Sequence, residues 1–178
     1  MLRRLPNAWK SNSGLAGIEF ALLLPLMVTL LLGTVGICNA LSARQKVIDL
    51  SSNVSDLVAM GTSVNSTDIS NAYSAGNAIM YPYSSANTTI VISSLVYSAA
   101  TQKVTVAWSR AQNGTPLLQG LVVTPPAGVV ATTDGASAIL ATVTYHYTPP
   151  LGFFGSIPMT FSFYSRPRES LAVTCNGC

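Results

Sequence analysis

The chain has 178 residues, a formal net charge of +3, and only 8% charged residues beside 49% hydrophobic ones. Ordinary globular chains carry roughly 25% charge, and no basic stripe with interleaved aromatics is present, so nucleic-acid binding is excluded as the main role. The length leaves room for one domain beside a membrane segment.

Met1–Ser13 holds Arg3, Arg4 and Lys10 and no acidic residue. The positive-inside rule keeps this segment in the cytoplasm and places the rest in the periplasm. From Phe20 to Ala43 no residue is charged, and these 24 residues make about 36 Å of helix, enough to cross a ~30 Å hydrocarbon core. A cleaved secretory signal is the competing reading, with cuts at Cys38-Asn39-Ala40 or Leu41-Ser42-Ala43. The apolar run is long for a signal peptide, and the helical pattern continues past both cuts.

Glu19 stands at the head of the run. A carboxylate at a membrane edge is costly unless paired, which makes it a candidate functional residue. Pro25 lacks a backbone donor and crowds the Ala21 carbonyl, so a helix kink is expected there. Cys38 lies in the apolar run and reads as a small hydrophobe.

Beyond Leu41 the helix turns amphipathic, with Val47, Leu50, Val54, Leu57 and Val58 on one face. Gly61 is the expected C-cap of a helix running from about Leu15 to Met60. A short helix is expected over Asp68–Met80, capped by Ser66 or Thr67 and stopped by Pro82. Strands are expected at Thr89–Tyr97, Lys103–Arg110, Ile139–Tyr147 and Thr160–Ser165. In the second, Val104, Val106 and Trp108 should share a face. Residues Leu117–Asp134 read as a long irregular connection. The class is α+β: one long N-terminal transmembrane and amphipathic helix packed on an antiparallel sheet of about four strands. The expected division is 15–43 for the transmembrane helix, 44–60 for the amphipathic extension and 61–178 for the extracytoplasmic domain.

Catalytic chemistry finds little support. His146 is the only histidine and stands on the polar side of its strand without an acidic neighbour. Asp49, Asp56, Asp68, Asp134 and Glu169 are scattered, with no paired-carboxylate or metal spacing. Tyr145, Tyr147, Phe153, Phe154, Phe161, Phe163 and Tyr164 read as sheet core. Cys175 and Cys178 form Cys-Asn-Gly-Cys, which can be a local disulfide, free or intermolecular thiols, or a redox pair. An oxidising periplasm favours the disulfide. No enzymatic activity, cofactor, metal or small-molecule substrate is expected.

Gly14-Leu15-Ala16-Gly17-Ile18-Glu19-Phe20, followed by an apolar helix with Pro25, resembles the N-terminus of TadE-like proteins, pseudopilins of the tight-adherence (Flp) pilus within the type IV pilin superfamily. The segment from Tyr145 through Pro158 to Arg166-Pro167-Arg168 resembles the tail of that family more weakly. The resemblance implies a cytoplasmic leader, residues 1–14, removed by a prepilin peptidase. The cut would fall between Gly14 and Leu15, making Glu19 the fifth residue and Phe20 the sixth. It further implies that Glu19 meets the free amine of an adjacent subunit during assembly. The implied setting is the bacterial inner membrane, with other pilin or pseudopilin subunits and the Tad secretion platform as partners. The rival reading is a membrane-tethered adhesin or ligand-binding module unrelated to pili.

Overall fold

Helix α1 runs from Ser13 to Ala59 over 47 residues. The structure is a computed structural model that describes residues 13–149 and 155–177, with side chains from Ala16 onward. The expected leader as far as Asn12, together with Pro150, Phe153, Phe154 and Cys178, lies outside the described residues. Two compact units meet in sequence between Asn39 and Ala40.

In the first unit α1 is apolar on every side, and Leu22, Leu26, Leu30 and Ile37 are all exposed. Its most apolar stretch has a mean hydropathy of 2.3, and the helix is long and apolar enough to cross a membrane. Such a helix has no core of its own to face; lipid is the medium that suits it. The two threonine hydroxyls are satisfied within the helix: Thr29 donates to the Pro25 carbonyl at 2.7 Å and Thr34 to that of Leu30 at 2.8 Å. That back-bonding is the low-cost way to carry a hydroxyl through hydrocarbon. The backbone stays helical through Pro25.

The second unit, Ala40–Cys178, is α+β. Strand β1 (Ser63–Asn65) leads into α2 (Ser66–Ile79), and a hairpin follows of β2 (Thr88–Ser98) and β3 (Lys103–Gln112). Then come β4 (Val122–Val123), β5 (Ser137–Tyr147), β6 (Ile157–Ser165) and β7 (Thr174–Asn176). Five strands form an antiparallel sheet in the order β4-β3-β2-β5-β6, while β1 and β7 make a separate parallel pair. The sheet of about four strands thus has a fifth, two-residue member at its edge.

The amphipathic part of α1 covers one face of this sheet. Ala43, Val47, Leu50, Val54, Val58 and Ala59 are buried against Ile69, Ala72 and Met80 of the α2 region, Ile90 and Ile92 of β2, and Ile139, Ala141 and Val143 of β5. Leu57 was expected in that face but is 47% exposed. The buried stripe runs through 43, 47, 50, 54 and 58, and position 57 falls at its edge, about 60° from its centre. Small residues fill the gaps: Ser51 and Ser55 are buried, and Ser55 Oγ lies 2.9 Å from Ser165 Oγ on β6. Gly76 lets α2 approach α1, since a Cβ there would sit 3.1 Å from Val54 Cγ2.

Three local expectations are corrected. The cap of α2 is Asn65, not Ser66 or Thr67: its side chain accepts from the Thr67 and Asp68 N–H groups, and Asp68 reaches back to the Asn65 N–H. That reciprocal box satisfies more orphan donors than either alternative. Gly61 is not a left-handed C-cap, because it is absent from the positive-φ positions. Instead the Ala59 carbonyl accepts from the Arg168 N–H at 3.2 Å, so the tail of the chain finishes the helix. Finally, Val104 and Val106 do not share a face with Trp108. The β2–β3 register shifts between Ser94 and Leu95, which pair with Trp108 and Val106, leaving Ala107 as the extra residue. A bulge of one residue turns later side chains to the opposite face. Trp108 therefore joins the helix-side core, and Val106 packs with Leu95 and Leu140 behind the sheet.

The rear cluster is covered by Leu117, Val123 and Tyr164. The long connection thus folds back over the sheet, and Arg166 holds it there by donating to the carbonyls of Val129 and Gly128.

Candidate functional site

Ser13, Gly14 and Leu15 are the first three residues of α1. The helix carries Glu19 one turn beyond Leu15, on the same side of the backbone by the four-residue spacing. Glu19 is exposed, and among the described residues no ion pair or hydrogen bond reaches its carboxylate. Phe20 is exposed beside it. A Cβ placed on Gly17 would meet nothing within 4 Å, so this end of the helix presents a bare backbone strip. The site is therefore an open helix end with one unsatisfied anion.

The residues weighed for catalysis are dispersed. His146 is exposed on β5 opposite Pro158 of β6. Among the described residues no group of three His, Cys, Asp or Glu side chains could hold a metal ion. Asp56 is bound by Arg168 through two contacts of 2.6 and 2.8 Å, and Asp134 accepts from the Ala99 N–H at 2.8 Å. Tyr145 and Tyr147 are buried and face Tyr83, with ring centroids 6.2 and 6.4 Å apart, and burial raises the pKa of both. They are core, as is Phe161, over which the Arg44 guanidinium lies 5.3 Å from the ring centroid. Phe163, expected in the sheet core, is instead 44% exposed.

Cys175, on β7, is disulfide-bonded, while Cys178 lies outside the described residues. β7 closes the fold by pairing with β1, and the Trp108 indole N–H donates to the Val173 carbonyl beside it at 2.9 Å. Sequence reasoning gave Arg166 and Arg168 no role beyond a weak likeness to a family tail. Both turn out to tie distant segments to the end of the sheet. Two arginines flanking a proline directly after a strand were the available signal.

A membrane-length N-terminal helix followed by a compact α+β unit defines the class to which this chain belongs. The family model of TadE-like proteins matches residues 14–54, from Gly14 to Val54 in the buried stripe on α1, and over that segment the chain is similar to TadE-like proteins. No curated protein and no solved structure matches the chain.

Proposed function

We propose that this chain is a non-enzymatic minor pilin or pseudopilin of the Flp (Tad) pilus, matured by a prepilin peptidase that cuts between Gly14 and Leu15. The observation that carries the reading is the position of the family match: it begins at Gly14 and takes in Glu19, Phe20 and Pro25. The physical state of Glu19 supports it. An exposed carboxylate at the head of an apolar helix is costly in a medium of low dielectric constant and is relieved by a cation. Cleavage after Gly14 creates a free α-amine at Leu15, and the same amine on a neighbouring subunit supplies that cation. The leader leaves, the helix stays in the inner membrane, and the Ala40–Cys178 unit is held on the periplasmic side, where it serves pilus assembly and surface attachment.

Gly14→Val tests the cutting step, because a β-branched side chain obstructs close approach of the backbone to a protease. The full-length form should accumulate in membranes when the peptidase is active. An unchanged ratio of mature to full-length protein would sink the assignment of Gly14.

A further inference from the structure

Among the described residues Arg110 has no hydrogen-bond or ion-pair acceptor. It lies on β3 opposite Ile92, on the helix-facing side of the sheet, and is partly buried. Among the described residues it makes no ion pair, the Arg168–Asp56 pair being the one present. Four of the five described acidic side chains of this unit are engaged elsewhere. Asp56 holds Arg168, Asp68 caps α2, Asp134 accepts from Ala99, and Asp49 accepts from Gln45. Glu169 is exposed beside Arg168. A partly desolvated guanidinium with unused donors is an unfavourable arrangement unless something else supplies the acceptor.

The surroundings of Arg110 specify what that acceptor should be. Arg110 and Ala111 form one wall of a cavity of about 410 Å³, and Ser66, Ile69, Ser70 and Tyr73 of α2 form the other. The four α2 positions fall on one helix face, and Asp68 lies on the opposite side. The Tyr73 hydroxyl is buried without a hydrogen-bond partner. Burial pushes its pKa up to about 12, with the Arg110 charge pulling the other way, so at neutral pH it is an O–H donor. The wall thus offers one positive charge and three hydroxyls, and among the described residues no carboxylate lines it.

We propose that this cavity binds a carboxylate, with the Arg110 guanidinium as its charged fork and the Tyr73 hydroxyl as a second donor. One cation matches a singly charged carboxylate and would leave a phosphate dianion half compensated. The guanidinium fork fits two carboxylate oxygens, the arrangement that makes such pairs strong. Ile69 and Ala111 provide an apolar wall for a short methylene stem, so a glutamate-like group fits the chemistry. The site lies wholly within the Ala40–Cys178 unit and does not depend on processing at Gly14.

The test uses the full-length protein in detergent micelles, labelled with ¹⁵N. It is titrated separately with free glutamate and with N-acetyl-glutamate α-methylamide, which presents only a side-chain carboxylate. Saturable shifts are expected at the backbone amides of residues 70, 73 and 111. Arg110→Gln should weaken binding at least tenfold and Tyr73→Phe about tenfold, the loss expected for a charge-assisted hydrogen bond. Arg110→Lys should fall between wild type and Arg110→Gln, because it keeps the charge and loses the fork. Lys103→Gln should bind as wild type does. Saturation by the blocked compound alone identifies a carboxylate carried on a polypeptide; equal saturation by both identifies a free small carboxylate. The proposal is overturned if neither compound saturates, if inorganic phosphate binds as well, or if folded Arg110→Gln binds unchanged.

Discussion

Gly14 and Glu19 stand five residues apart on α1 and have different roles in the proposed function, so their substitutions should separate. Gly14→Val should leave the leader on nearly all of the protein. Glu19→Ala should leave cleavage close to wild type and reduce subunit assembly, read as loss of cross-linking between neighbouring subunits and of surface pili. Equal loss of cleavage in both variants would contradict the separate roles. In the folded unit, Tyr73, Tyr145 and Tyr147 all have pKa values raised chiefly by burial, Tyr73 to about 12 from 10. Between those two values the folded state holds a proton that the unfolded chain has released, so stability falls as pH rises through that window. The melting temperature should decline above about pH 10, and Tyr73→Phe should make that decline shallower. An equally steep decline in the variant would remove Tyr73 from the account. Both features were unequally legible: Gly14 and Glu19 stand out by spacing, whereas nothing around Tyr73 or Arg110 in sequence brings α2 and β3 together.

At the scale of elements, α1 was readable over nearly its whole length because an uncharged run passes into a helical apolar period. The long strands were readable because β-branched and aromatic residues alternate there. What escaped was short or nonlocal. Strands of two or three residues, such as β4, β1 and β7, carry no period, and β1 meets β7 across more than a hundred residues of chain. The bulge at Ala107 has no local signature in Val-Ala-Trp, and it alone reverses the facing of Trp108. The Ser/Thr/Asn run before α2 offers several caps, and Asp68 three residues on settles it in favour of Asn65. Asn65→Ala should cost about 1 kcal/mol in denaturant unfolding. Leu50→Ala removes a fully buried side chain from the contact of α1 with the sheet and should cost about 2–5 kcal/mol. Gly76→Val should also destabilise, since even a Cβ there crowds Val54 and Ile90. A Leu50 variant as stable as wild type would mean that α1 is dispensable to the core.

At the scale of the whole molecule, α1 belongs to two environments. Its first part has the composition for lipid, and from Ala40 onward it supplies Ala43, Val47, Leu50, Val54 and Val58 to the core of the domain. A soluble fragment should therefore start at Ala40. The Ala40–Cys178 fragment should melt cooperatively, while Gly61–Cys178, which lacks the entire buried stripe, should remain unfolded or aggregate. Cooperative folding of the shorter fragment would contradict this division. Under the proposed function, maturation has to spare the helix: a cut at Ala40 or Ala43 would free the domain from the membrane, whereas a cut at Gly14 leaves anchor, Glu19 and domain in one chain. The direct measurement is the intact mass of the protein taken from membranes of cells with an active prepilin peptidase. A mature chain beginning at Leu15, with residues 1–14 removed, is the predicted result. Retention of Met1–Gly14, or a chain beginning at Leu41 or Arg44, would contradict it.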